Sequence, residues 1–250
     1  MDLVKSSRFK DAPWFPTENV YTIIGGAGGI GSWLTLMLAR AGFNPIVWDF
    51  DVIEEHNIGG QLFPQKSVNN SKVFALRRLV KEFTDTDINV YDERYNKETM
   101  SHHYVFSAFD NMQARKDMFS NWKNYVKEWK ETGEAIKVAK DLGASSVELE
   151  LDRDAKTPIF IDGRLLMEQL TVFCVTPDKI EEYEKHLFDD SEVAEEPCTL
   201  KQTSHTAAMI ASYMTSFFTN HFANTQTGEN DRNIPFKWEY FIPINYVNEE

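Results

Sequence analysis

Residues 26–31 read Gly26-Ala27-Gly28-Gly29-Ile30-Gly31, a G-x-G-x-x-G loop, and what flanks this loop constrains the fold more than anything else in the chain. Before it stands Val20-Tyr21-Thr22-Ile23-Ile24, a short apolar, β-branched run that predicts a buried strand. After it, Trp33, Leu34, Met37, Leu38 and Ala41 recur at helical spacing, which predicts a helix over 28–42 with Gly42 as its stop. Pro45-Ile46-Val47-Trp48-Asp49 follows as a second strand. Strand, glycine turn, helix and strand in this order make a βαβ unit.

A glycine loop in that setting is built for phosphate. The first glycine permits the tight turn, the second lets backbone N–H groups approach an anion, and the third lets helix and strand pack closely. The helix N-terminus adds partial positive charge. Gly26, Gly28, Gly29 and Gly31 are therefore the nucleotide-loop candidates. Asp49 lies 18 residues after Gly31, close to where such folds place an acid that accepts bonds from a ribose. Asp51 is the neighbouring alternative. This much suits NAD as well as ATP.

The rest of the chain continues the alternation. Helices are expected over Ser71–Phe83, with Ser71 as cap, over Met112–Trp129, over Asp178–Leu187, with Thr176 as cap, and over Thr203–Phe222. Strands are expected over 87–91, 104–108, 159–161, 170–175 and 237–244. The pattern predicts an α/β fold: a doubly wound, mostly parallel sheet of Rossmann type with a C-terminal mixed-strand and helix extension. Residues 1–18 read as an N-terminal arm, 19–250 as a single nucleotide-binding domain, and 130–157 as a charged insertion.

A net charge of −13 repels phosphate backbones and argues against nucleic acid as partner. No apolar run is long enough to span a bilayer, and the opening MDLVKSSRFKDAPWF has no secretory apolar core, so a cytoplasmic protein without membrane contact is expected. The two cysteines, Cys174 and Cys198, are too few for a four-cysteine zinc site, so no zinc is expected. The six histidines show no metal-ligand spacing.

From Asp49 the chain reads Asp49-Phe50-Asp51-Val52-Ile53-Glu54-Glu55-His56-Asn57-Ile58-Gly59-Gly60-Gln61, followed by Lys72. This resembles the D-x-D-x-x-x-x-x-N-L-x-R-Q segment and subsequent lysine of the ThiF/MoeB/HesA family, the adenylyltransferases related to ubiquitin-activating enzymes. Asp110-Asn111-Met112-Gln113-Ala114-Arg115 is similar to that family's strand-end Asp-Asn followed by arginine, and Gly163–Phe173 to a later strand pair. The resemblance covers roughly residues 20–222. It implies that Gly26, Gly28 and Gly31 line the phosphates of ATP, that Asp49 holds the ribose, and that Asn57 and Gln61 sit near the reacting phosphate. It further implies that Lys72 neutralises phosphate charge and that Asp110 holds Mg²⁺. The implied substrate is the C-terminal carboxylate of a small carrier protein or peptide, and the implied assembly is a homodimer.

Two departures bear on activity. Gly60 stands where the family has an arginine, and no pair of Cys-x-x-Cys motifs is present. Arg8, Arg94, Arg115 and Arg164 are the candidate replacements; Arg164, next to a strand end, and Arg8, on the N-terminal arm, are favoured over the helix-borne Arg115 as the catalytic cation, with a structural ion pair the alternative for Arg164. Cys198 matches a family position that in some members forms a thioester or persulfide, but the acidic run before it blunts a thiolate, and a structural thiol is the alternative. Aromatic stripes over 119–129 and 217–222 add a second reason to expect a homodimer. The leading expectation is an ATP-dependent adenylyltransferase. A non-catalytic nucleotide-binding scaffold is the alternative, with an NAD-dependent oxidoreductase more distant.

Overall fold

The structure is a computed structural model that describes residues 9–141, 156–189 and 203–250. Eight strands form one sheet: β1 (Tyr21–Gly25), β2 (Asn44–Trp48), β3 (Asn89–Tyr91), β4 (Tyr104–Ser107), β5 (Ile159–Leu166), β6 (Gln169–Val175), β7 (Lys237–Phe241) and β8 (Tyr246–Glu249). Their order is β3-β2-β1-β4-β5-β6-β7-β8. The first five are parallel, with Ile23 opposite Ile46 and Val105, and Phe106 opposite Ile161. From β5 onward each pairing is antiparallel. The sheet is thus a Rossmann-type parallel half extended by an antiparallel C-terminal half.

Side-chain alternation along the strands divides the core into two layers. On β1, Ile24 faces the layer containing α1 (Gly29–Arg40), α2 (Lys72–Thr84) and the long C-terminal helix, while Ile23 faces the other. On β4, Phe106 and Val105 divide in the same way. The first layer is closed by α5 (Ser204–Thr227), whose Phe218 and Phe222 rings meet Phe43 at 4.8 and 5.3 Å between centroids. The second is closed by α3 (Met112–Asp141) and the short α4 (Ile180–Glu184), where Phe119, Trp122, Phe160 and Tyr183 pack together. Burying a side chain of this size stabilises by about 1.5–3 kcal/mol. The stripes expected to mark a dimer face are largely used here: Phe119, Trp122, Val126, Phe218 and Phe222 are buried within the protomer.

Several boundaries differ from expectation for local reasons. Helix α3 continues to Asp141, so 130–141 prolongs a helix rather than opening an irregular insertion; the remainder, 142–155, lies outside the described residues. Ser71 precedes α2, but its hydroxyl makes no capping bond. Thr203 does cap α5, in a reciprocal pairing with Thr206. Thr176 bonds the Asp178 carboxylate at 2.6 Å, and the helix beyond it is only Ile180–Glu184, with Lys179 at its N-cap. The last expected strand divides: β7 ends at Phe241, a 3₁₀ turn occupies Ile242–Ile244, and β8 returns through Asn245 at φ +50°. Residues 9–16 of the N-terminal segment fold onto the α1–β2 turn, where a Cβ on Gly42 would meet Phe15 at 3.1 Å. Among the described residues no helix is long and apolar enough to cross a membrane.

Candidate functional site

The crossover from β1 leads to β2 on one side, and the crossover from β4 leads to β5 on the other. The sheet therefore opens a crevice at the carboxyl ends of β1 and β4, where α/β sheets of this kind take ligands. The glycine loop lies across that crevice. Gly26, at φ +93°, bonds Trp48 O through its N–H at 2.9 Å, and Ala108 N donates to Gly25 O at 2.8 Å, so β1, β2 and β4 all fix the loop. A Cβ on Gly31 would lie 1.8 Å from Gly26 O, so helix and loop approach more closely than any side chain permits. Gly28 is different: a Cβ there would meet only Gln61 Nε2, at 3.9 Å. No side chain caps α1. The first N–H groups of a helix have no partner within it.

Asp49 directly follows β2 and binds the loop itself. One carboxylate oxygen accepts from Ala27 N at 2.7 Å and the other from Asp51 N at 2.8 Å. Burial pushes its pKa above the ordinary carboxylate value, against the opposing charge of Lys72 and these two amide bonds. An ionised carboxylate has about four acceptor positions, so both oxygens retain capacity for further donors. Asp51 pairs with Lys72, its Oδ2 lying 2.7 Å from Nζ, and its carbonyl accepts Lys72 N at 3.0 Å. Lys72 is the first residue of α2, and its side chain is only 9% exposed.

The segment 55–62 forms the crevice's other wall. Asn57 closes a 3₁₀ turn by accepting Glu54 N at 2.9 Å on its side chain, and its carbonyl accepts Gln61 N at 2.9 Å. Trp33 Nε1 donates to Gly60 O at 3.3 Å, and Leu62 N to Ser32 Oγ at 3.1 Å, which fastens the segment to α1. Gln61 is thereby held buried beside Gly28, and its Oε1 is buried without a hydrogen-bond partner. A buried, unsatisfied amide oxygen is costly, and Oε1 has room for a donor such as a bound water; the Gln61 atom that approaches the glycine cradle is Nε2, 3.9 Å from a Cβ on Gly28.

Asp110 is exposed on the loop between β4 and α3. Its neighbour Asn111 caps α3 by accepting Ala114 N at 2.8 Å and donates to Asp110 Oδ1 at 3.3 Å. Among the described residues no cluster of three or more His, Cys, Asp or Glu side chains is arranged for a metal. Arg164 is turned toward its own strand and α4: Nε donates to Asp162 at 2.7 Å, Nη1 to His186 O at 3.0 Å and Nη2 to Tyr183 Oη at 3.3 Å. The candidate catalytic cation is thus engaged in a structural ion pair, because Asp162 is fully buried and needs its charge. Arg115 is engaged there too. Arg94 stacks on exposed Phe50, 4.2 Å from the ring centroid, one residue from Asp49. Arg8 and Cys198 lie outside the described residues. Cys174 is buried, and its thiol pKa is driven far up by desolvation.

Sequence reasoning missed Trp33 as the fastening of Gly60 and Asp162 as a hub. The second had a signal: an acid ending the apolar run Ile159-Phe160-Ile161 must be paired if that run is a buried strand.

A glycine loop opening the first helix, a part-buried acid just after the second strand and strand order 3-2-1-4-5 define a Rossmann-type α/β protein. Residues 17–233 match the model of the ThiF family, and the chain belongs to that family. Solved structures with the same fold include PaaA, at TM-score 0.61 and 17% identity over 92% of this chain and 63% of PaaA. They also include E. coli MccB with ATP, at TM-score 0.57 and 13% identity over 93% of this chain and 63% of MccB. A third is E. coli MccB with MccA-N7isoASN, at TM-score 0.57 and 12% identity over 93% and 64%. The chain therefore spans a little under two thirds of the length of these structures.

Proposed function

We propose that this chain binds ATP with Mg²⁺ and activates a carboxylate by adenylation, the substrate being the free C-terminus of a peptide or small carrier protein. The observation that carries the reading is the cradle at the start of α1, where a Cβ on Gly28 would meet nothing nearer than Gln61 Nε2 at 3.9 Å. Loop N–H groups and the helix terminus receive phosphate oxygens there. Asp49 accepts the ribose hydroxyls with its remaining lone pairs. Lys72, held at the rim by Asp51, supplies charge to the phosphates. Asn57 shapes the turn that presents Gln61 to the reacting phosphate. Asp110 suits Mg²⁺, which is commonly bound through one or two carboxylates together with substrate phosphates. When bound, the ion screens the phosphate charge.

The reaction joins two anions. A carboxylate oxygen attacks the α-phosphorus, the bond from that phosphorus to the bridging oxygen breaks, and pyrophosphate leaves. The nucleophile is already ionised, so no general base is required. What the chain must supply is positive charge and preorganised donors. E. coli MccB, of the same fold, has been solved with ATP and with MccA-N7isoASN, which supports both the nucleotide and the class of acceptor. The family resemblance extends the proposal to a homodimer.

The test is ATP–pyrophosphate exchange with a panel of peptides and carrier proteins, each with a free or an amidated C-terminus. Exchange that requires Mg²⁺ and a free C-terminal carboxylate is the expected result. A non-catalytic scaffold is the second reading, favoured by the uncharged Gly60 and by the engagement of Arg115 and Arg164 with Asp162. ATP binding without exchange, in the presence of a verified partner, would establish it instead.

A further inference from the structure

Asp162 is the most deeply buried charge among the described residues, with no exposed surface. It stands at the carboxyl end of the parallel half of the sheet, in register with Ser107 on β4. Both its oxygens are used. Oδ1 accepts from Arg115 Nη1, and Oδ2 accepts from Arg164 Nε at 2.7 Å and Tyr183 Oη at 2.8 Å. The same Arg115 Nη1 donates to Gly163 O at 3.0 Å, and its Nη2 donates to Phe109 O. Phe109 immediately precedes Asp110. One guanidinium therefore spans the end of β5 and the loop that carries Asp110.

For stability alone, an apolar cluster of the same volume serves a core as well as a buried ion pair does. What it cannot do is fix the direction of a carbonyl. A planar fork with donors in set positions does this, and lysine, with one nitrogen, does not. We propose that Asp162 acts through Arg115 as a positioning residue, holding the Phe109 carbonyl and so setting where the Asp110 carboxylate stands at the crevice. This rests on the reading of Asp110 as the carboxylate that meets magnesium. The Asp162–Arg164 arm extends the network to α4 and the segment behind it, since Arg164 also bonds His186 O and lies 4.7 Å from the Phe173 ring centroid. Burial would raise the Asp162 pKa, but Arg115 and Arg164 together hold it below the ordinary value, so the hub stays ionised.

The experiment uses Arg115→Lys and Asp162→Asn, with Tyr183→Phe as the mildest change because it removes one bond to Asp162 and no charge. Amide hydrogen exchange is measured without nucleotide, followed by Mg²⁺ titration of ATP binding. Arg115→Lys should speed exchange across residues 108–114 about tenfold while β1 and β4 keep their protection. It should also raise the Mg²⁺ concentration for half-maximal ATP binding about tenfold, and Mg²⁺-free ATP binding should stay within twofold. Tyr183→Phe should shift both in the same direction, by about threefold. Unchanged exchange over 108–114, or acceleration spread equally over β4 and β5, would overturn the proposal. Failure of wild type to bind ATP would overturn the adenylation reading alone, because the exchange measurement needs no nucleotide.

Discussion

Alanine at Gly28 and alanine at Gly31 should separate binding from folding within a single turn. At Gly31 the added methyl would lie 1.8 Å from Gly26 O and 2.8 Å from its carbonyl carbon. Ordinary contact is about 3.5 Å, so the backbone of the loop or of α1 must yield by more than an ångström. Overpacking of this kind costs about 1–3 kcal/mol, and in a chain of this size each kcal/mol lowers Tm by roughly 2–4 °C. Gly31→Ala should therefore melt about 2–12 °C below wild type. At Gly28 the backbone is at φ −75°, outside the left-handed region, and the methyl meets only Gln61 Nε2 at 3.9 Å. Losing glycine at an N-cap costs about 0.5 kcal/mol. Gly28→Ala should melt within about 2 °C of wild type. Its methyl nevertheless fills the phosphate cradle, and loss of one or two charge-assisted bonds at about 1.5–3 kcal/mol each should weaken ATP at least tenfold. Thermal melts with and without ATP-Mg²⁺, and calorimetric titration, read both effects. A Gly28→Ala protein that binds ATP like wild type would refute the cradle, and a Gly31→Ala protein as stable as wild type would refute the packing argument.

Lys72→Ala should weaken ATP about tenfold by calorimetry with only a small change in melting, since its partner Asp51 is 46% exposed; Asp110→Ala should remove the Mg²⁺ dependence of binding. His221, buried with Nε2 2.7 Å from Thr157 O, has its pKa lowered to about 4 by desolvation, against that hydrogen bond. The unfolded chain therefore takes up this proton first, so stability is intact above pH 6.5 and falls as pH drops toward 4, by about 3 kcal/mol at most; denaturant titrations should show a shallower acid limb in His221→Gln. Gly60→Arg should raise ATP–pyrophosphate exchange between about ten- and a hundredfold if the cradle lacks only a cation, and a fall would show that the space is already filled.

The parts of the fold governed by local rules were legible. The strand before the glycine loop, the helix after it and Asp49 at the next strand end fell within a residue or two of their places, because alternation, helical spacing and glycine stereochemistry act over a few residues. Strand β8 was not legible: Tyr246, Val247 and Glu249 are exposed at the sheet edge, so no buried face marks the strand. The same holds for the later part of α3, where residues 130–135 are mostly exposed. Arg164 was legible as a strand-end cation but not in its direction, since its partners Tyr183 and His186 come from an element 19 and 22 residues away.

The charge balance of the crevice follows from these placements. Arg115, in the first turn of α3, and Arg164, on β5, are the cations nearest the β4–β5 side of the crevice, yet Asp162 takes both. Gly60 brings no charge, and its carbonyl is fastened to Trp33. Lys72 and Arg94 stand at the β2–β3 side of the crevice, beside Asp49 rather than across from it. Lys72 is itself paired with Asp51, so the nucleotide must compete with a carboxylate for that ammonium. On the adenylation reading, such competition would weaken binding in the absence of metal and leave Mg²⁺, proposed to be held through Asp110, as the main counter-charge to the phosphates. The adenylation reading therefore requires a steeper dependence on Mg²⁺ than a site with a free arginine would show, and Gly60→Arg should flatten that dependence as well as raise the rate.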